Sequence, residues 1–260
     1  MARLALIGGV YSNYLALEQA LLDARRRSVD AIYCLGDLGA FGPHPDRVFP
    51  LLWDYQVLCI QGNYDDSIAR GLDNCQCGYT DPRDNYFAQI SYDYTLSRTS
   101  PQFRQWMGRL PKQLRLECEG WRVLLCHGSP RRVNEFLWES TTSTAFLEWL
   151  AETYSTDLIA VTHTGIKWKR RLKGDRWFVN VGVVGRPEND GQPHVWYTLL
   201  DLEPKRADIR FIPITYDFRR LAAEMQQEKL PEEFVETIVT GWWTTCLEIL
   251  PQKERRRGKW

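Results

Sequence analysis

The run Val123-Leu124-Leu125-Cys126-His127-Gly128 constrains this chain more than any other stretch. Four consecutive apolar residues have the pattern of a strand buried on both faces, which requires a layer above it and a layer below. The run breaks at Gly128 and leaves His127 at the strand's carboxyl end, where open α/β sheets place their ligands. Three other runs share this arrangement. Ile32 to Leu35 ends in Gly36-Asp37, Val57 to Gln61 ends in Gly62-Asn63, and Leu158 to Val161 ends in Thr162-His163. Any one of these polar residues alone reads as a strand-end cap. Together, Asp37, Asn63, His127 and His163 are expected on one rim. Two imidazoles, a carboxylate and an amide oxygen form a donor set suited to a divalent transition metal.

The rest of the chain supplies the layers. Leu4 to Ile7 reads as a first strand, and 13–27 has apolar residues at helical spacing. A helix after Asp46 and the strand at Val57 continue a β-α-β-α-β rhythm, the pattern of parallel strands with helical crossovers. Helices are expected over 65–72, 85–96, 101–110 and 143–154. Leu114 to Cys118 alternates and turns at Glu119-Gly120, forming a hairpin into the His127 strand. Beyond His163 the chain turns β-rich, reading as an antiparallel meander through Arg171, Trp177–Asn180, 194–202 and 208–214. Helices near 218–229 and 232–239 close it. One domain over 1–250 and a basic, solvated tail at 251–260 are expected.

Thirty-three basic and 33 acidic residues balance. The whole molecule therefore has no electrostatic case for nucleic acid or a membrane surface. No apolar stretch approaches the roughly 20 residues of a membrane span, and Met1-Ala2-Arg3 leads directly into a strand rather than a signal peptide. Cys34, Cys59 and Cys126 lie inside apolar strands and read as reduced core thiols, so a cytoplasmic location is expected. Cys75-Gln76-Cys77 is a weak metal or redox signal and reads first as a pair of loop thiols. Lys167, Lys169, Arg171 and Lys173, interleaved with Trp168, read as a solvated sheet face. Trp242-Trp243 reads as helix packing, or as a subunit contact if exposed. The eleven tryptophans leave a protein-interaction module or a homo-oligomer open.

The motifs Gly36-Asp37, Gly62-Asn63, His127-Gly128-Ser129-Pro130-Arg131, Thr162-His163-Thr164 and Asn180 to Pro187 occur in order at strand ends. In this the chain resembles the calcineurin-like metallophosphoesterases, in particular their compact bacterial members, over nearly its full length. The resemblance implies an α/β fold: a four-layer αββα sandwich of two mixed β-sheets flanked by helices. It also implies a phosphoester-hydrolysing site with two metals about 3.5–4 Å apart. One of that family's two ligand sets is complete here: Asp37, Asn63, His127 and His163. The other is not. Its Asp-x-His reads Gly9-Val10-Tyr11, its last histidine reads Gly165, and Tyr64 stands at the family's general-acid histidine. Every ligand private to one metal is lost, and every ligand of the other is kept. The expectation is one divalent ion (Mn, Fe, Zn or Ni) or none, and no confident catalytic acid. Tyr11, Tyr64 and Arg131 are expected to line the site for a phosphate-containing small molecule or phosphoester. The implied function is an impaired phosphoesterase or a regulatory pseudoenzyme. An active metal-dependent phosphodiesterase or phosphatase is the alternative.

Overall fold

The structure is a computed structural model and describes residues 1–256. Two five-stranded mixed sheets form its centre. The first has the order β10-β9-β1-β2-β3, built from β1 (Ala2–Ile7), β2 (Ala31–Cys34), β3 (Leu58–Cys59), β9 (Val195–Glu203) and β10 (Arg206–Ile214). The second has the order β4-β5-β6-β8-β7, built from β4 (Gln113–Cys118), β5 (Trp121–Cys126), β6 (Leu158–Val161), β7 (Trp168–Arg171) and β8 (Trp177–Asn180).

The unbroken apolar runs arise because both faces of each central strand are covered. Successive strand residues point to opposite faces. Along β5, Val123 and Leu125 pack into the core between the sheets. Leu124 and Cys126 point outward into a second core with Leu147 and Leu150 of α6 (Thr144–Thr153). Along β1, Leu4 and Leu6 join the inter-sheet core. Ala5 and Ile7 face a third core containing Leu17 and Leu21 of α1 (Tyr14–Arg26), and Leu221 of α7 (Phe218–Gln227). The layers are therefore helix, sheet, sheet, helix.

The strands that carry the rim run parallel. β1 pairs with β2 and β2 with β3 in that sense, as do β5 with β6 and β6 with β8. Their carboxyl ends therefore gather on one side of the sandwich. The β-rich second half is not one meander. β7 and β8 pair antiparallel in the second sheet, whereas β9 and β10 form a hairpin in the first. Between them, residues 181–187 cross from one sheet to the other, anchored by the Val184 and Gly185 amides on the Gly9 carbonyl.

Other local readings also shift. Asp46 does not cap its own helix; it accepts from the backbone and hydroxyl of Ser100, ahead of α5 (Pro101–Met107). The segment expected as a helix at 65–72 begins earlier, as α3 (Asn63–Arg70). Lys167 pairs with Glu188, Lys169 bonds the Ile209 carbonyl, and Arg170 bonds the carbonyls of Thr142 and Glu139. Residues 252–255 form one helical turn. Glu254 there accepts from Ser140, and Asn189 donates to the carbonyls of Glu254 and Arg255. The tail's remaining residues, 257–260, lie outside the described residues. Among the described residues no helix is long and apolar enough to cross a membrane.

Candidate metal centre

The four strand ends deliver Asp37, Asn63, His127 and His163 to one buried place, each at most 8% exposed. The local backbone works for this. Asp37 and His163 both adopt left-handed conformations, with φ of 57° and 69°. Such conformations are disfavoured for non-glycine residues and collect at functional sites. Asp65, one turn into α3, holds two rim loops together. Its carboxylate accepts from the backbone amides of Asp37 (2.8 Å), Leu38 (3.0 Å) and Gly62 (2.8 Å). Burial, and then the neighbouring Asp37 charge, push the Asp65 carboxyl up to about 6.

Three of the four candidate donors are aimed by a second contact. His127 donates Nδ1–H to the Leu35 carbonyl at 2.6 Å, leaving Nε2 to face inward, 3.2 Å from Asp37 Oδ2 and 3.1 Å from His163 Nδ1. Such outer partners fix the tautomer of metal-binding histidines. Asn63 donates Nδ2 to the Cys75 carbonyl at 2.9 Å, which turns Oδ1 inward. The Tyr64 amide donates to Asp37 Oδ1 at 3.1 Å.

The arrangement fits a cation. Ligand atoms around one ion bonded at about 2.1 Å stand about 3.0–3.4 Å apart, and the His127 contacts to Asp37 and His163 have that spacing. Donor atoms of Asp37, His127 and His163 all lie within 4.8 Å of one another. Asn63 Oδ1 is buried without a hydrogen-bond partner. Buried polar atoms are rarely left so, and a bound ion is one of the few explanations for it. The electrostatics agree. Burial opposes charge on His127 and Asp37, yet each offsets the loss for the other: the imidazole is raised and the carboxyl lowered. His163 is pushed down to about 3 by burial and by His127, so it is a neutral ligand at pH 7.

On the side where the first ligand set is missing, other side chains have moved in. A Cβ on Gly9 would lie 2.4 Å from the Tyr11 ring, and one on Gly185 would lie 2.4 Å from Tyr11 Cβ. Tyr11 thus fills the space of an acidic side chain at position 9. Gly165 has a φ of 78°, and a Cβ there would lie 3.1 Å from the Trp243 ring and 3.6 Å from Arg186 Nη2. The Tyr11 and Tyr64 phenols are buried, and burial raises both well above the ordinary tyrosine range. The Tyr64 hydroxyl donates to Ser91 at 2.8 Å, on α4 (Pro82–Arg98).

Of the residues singled out from sequence, the structure brings together the four candidate donors with Tyr11, Tyr64, Gly9 and Gly165. Arg131 stands apart; it is exposed, ion-paired with Glu135 and stacked over Phe146. Cys75 and Cys77 are not free loop thiols but form a disulfide, and Cys77 Sγ lies 3.5 Å from Asn63 Nδ2. Trp243 is buried at the site instead of packing a helix. Sequence reasoning missed Asp65, Arg186 and Trp243 as site residues. Arg186 lies inside a motif already noted, but nothing local shows where its side chain goes.

A two-sheet sandwich with a cluster of possible metal ligands at the carboxyl ends of its strands defines a class, and the chain belongs to it. The domain model of the calcineurin-like phosphoesterase superfamily matches residues 3–205. Proteins of this family act on phosphoesters with divalent metals. Among curated relatives, the uncharacterized protein MJ0912 of Methanocaldococcus jannaschii is 24% identical over 253 residues, covering 92% of this chain and 98% of its own. Among solved structures, the hypothetical protein PH1004 of Pyrococcus horikoshii matches with a TM-score of 0.78 at 19% identity, over 94% of this chain and 100% of its own. A metallophosphoesterase from Sphaerobacter thermophilus matches with a TM-score of 0.69 at 25% identity, over 92% and 99%.

Proposed function

We propose that this protein keeps one metal of the family's pair and binds a phosphate-containing ligand with impaired hydrolysis, acting as a regulatory pseudoenzyme or a residual phosphoesterase. The observation that carries this reading is the filled half-site: Tyr11 packs at Gly9, while Trp243 and Arg186 pack at Gly165. A side chain able to ligate a second ion has no room at either glycine. Asp37, Asn63, His127 and His163 would hold the single ion, of which Mn, Fe, Zn and Ni are all compatible with the donors. When bound, it would supply Lewis-acid polarisation of a phosphoryl oxygen.

The chain's own groups set the limit on chemistry. Tyr64 directs its hydroxyl to Ser91, and its elevated pKa makes it a poor acid at pH 7. Loss of a positioned general acid is worth about 10²–10⁴-fold in rate. His163 stays neutral and serves as ligand rather than proton donor.

Metal analysis of the purified protein after loading with excess Mn or Zn tests the reading. About one equivalent or less is expected, with little turnover of a chromogenic phosphodiester. Two equivalents with robust turnover would replace it with an active phosphodiesterase.

A further inference from the structure

Arg186 is a buried cation without a counter-charge. It is 6% exposed, its Nε is buried without a hydrogen-bond partner, and it makes no ion pair among the described residues. The nearest acid along the chain, Glu188, is taken by Lys167. What surrounds the guanidinium is aromatic: its carbon lies 3.5 Å from the Trp243 ring centroid, 4.9 Å from Phe41 and 5.8 Å from Tyr11. Ring faces stabilise a cation but do not neutralise it, and buried charges are normally paired. The unmet charge is placed with care. Arg186 Nη2 lies 3.6 Å from where a Cβ on Gly165 would be. That is the position at which the ligand pattern calls for a histidine of the second metal.

Other polar groups converge there. The Tyr11 and Tyr79 phenols and the Cys246 thiol are all close enough to feel the guanidinium's charge, which eases their ionisation against the burial that opposes it. Tyr79 also lines an open polar cleft with Asn74, Gln76, Cys77 and Asn134. Arg186 is held from behind: Asn13 Nδ2 donates to the preceding carbonyl, of Gly185, at 3.2 Å.

We propose that Arg186 replaces the second metal as the cation of an anion subsite, which takes a phosphoryl group between the guanidinium and the Asp37–His127–His163 group. The ligand class is a phosphate monoester or diester. A guanidinium offers forked donors that match phosphate oxygens and, unlike a metal, brings no activated water with it. A chain built this way would retain phosphate recognition while giving up the ion that activates the attacking nucleophile. The inference rests on the one-metal reading, which it deepens.

The test is calorimetric titration of inorganic phosphate into wild type, Arg186→Met and Arg186→Lys, each Mn-loaded and metal-stripped, with melting temperatures in phosphate-free buffer. Wild type is expected to bind phosphate. Arg186→Met should weaken binding by at least tenfold, and Arg186→Lys, which keeps the charge but not the fork, should weaken it by a smaller factor. In phosphate-free buffer Arg186→Met should melt no lower than wild type, because it removes an uncompensated buried charge, and added phosphate should raise the melting temperature most in wild type and least in Arg186→Met. Unchanged phosphate affinity in either variant overturns the proposal, as does absence of phosphate binding by wild type. A failure of Arg186→Met to fold would itself oppose it, since that result assigns Arg186 a structural role. The one-metal reading fails separately: metal analysis that finds two ions sinks it whether or not phosphate binding depends on Arg186.

Discussion

At the scale of single residues, this site is decided by which side chains occupy two glycine-sized gaps. A histidine at position 165 would need a left-handed backbone and the space of the Trp243 ring. Gly165→His alone is expected to lower stability by about 2 kcal/mol in denaturant titration, without adding a second metal. Restoring the lost ligands therefore requires clearing Tyr11 and Trp243 together with placing Asp at 9 and His at 11 and 165. Asp65 is the other decisive residue, because one carboxylate gathers three backbone amides from two loops. Asp65→Ala strands those donors in a buried place. The expected loss is about 3 kcal/mol, together with a metal affinity weakened at least tenfold by titration. The mutual shifts of Asp37 and His127 have the same local cause, two charges buried in contact.

At the scale of elements, helix α1 and the crossing segment act as one part. Asn13 caps α1 by accepting from the Ala16 amide at 3.0 Å, and the same amide side chain donates to Gly185 ahead of Arg186. Asn13→Ala should cost about 1–2 kcal/mol, and Asn13→Asp, which keeps the cap but turns a buried carboxylate oxygen toward the Val184 and Gly185 carbonyls, should cost more. Urea titration of the two variants separates capping from the tie to the crossing segment. In the first sheet, Asp201 of β9 clamps Arg3 of β1 and Arg210 of β10. Burial alone would raise its carboxyl, but the hydrogen bond and charge of Arg3, with Arg210, outweigh burial and hold it below the usual carboxylate range. A depressed folded pKa contributes stability that is present above the unfolded value of about 3.9 and is lost as pH falls through the folded value. Asp201→Asn should therefore be less stable than wild type at pH 7 by about 1 kcal/mol, with the gap closing below about pH 4 in pH-dependent melting.

At the scale of the whole molecule, the two sheets meet through a core that includes Leu6, Leu125, Ala160 and Val179 and bring the rim together from both sides. Asp37 and Asn63 follow strands of the first sheet, whereas His127 and His163 follow strands of the second. A metal held across them would staple sheet to sheet. Binding the folded state at 100 times its dissociation constant adds about 2.7 kcal/mol, so loading Mn or Zn should raise the melting temperature by roughly 5–10 °C. Chelation should reverse the rise. No rise with any divalent ion would mean that the rim does not hold one.

The sequence by itself determined the layered α/β plan and pointed to the four candidate donors and to the missing residues of the second ligand pattern. Strand burial and donor chemistry are local: apolar runs and the residues that end them can be read without knowing their neighbours. It could not determine what filled the vacated half. Tyr11, Arg186 and Trp243 lie far apart along the chain, and only packing in three dimensions brings a phenol, a guanidinium and an indole to two glycines. The tertiary structure also decided that the late strands divide between two sheets, because the partner of a strand depends on where the chain crosses, here at 181–187, rather than on alternation within it. Finally, it left Arg186 buried against Trp243, Phe41 and Tyr11 without a counter-charge among the described residues, since burial and charge pairing are properties of the assembled surroundings and not of an arginine in a motif.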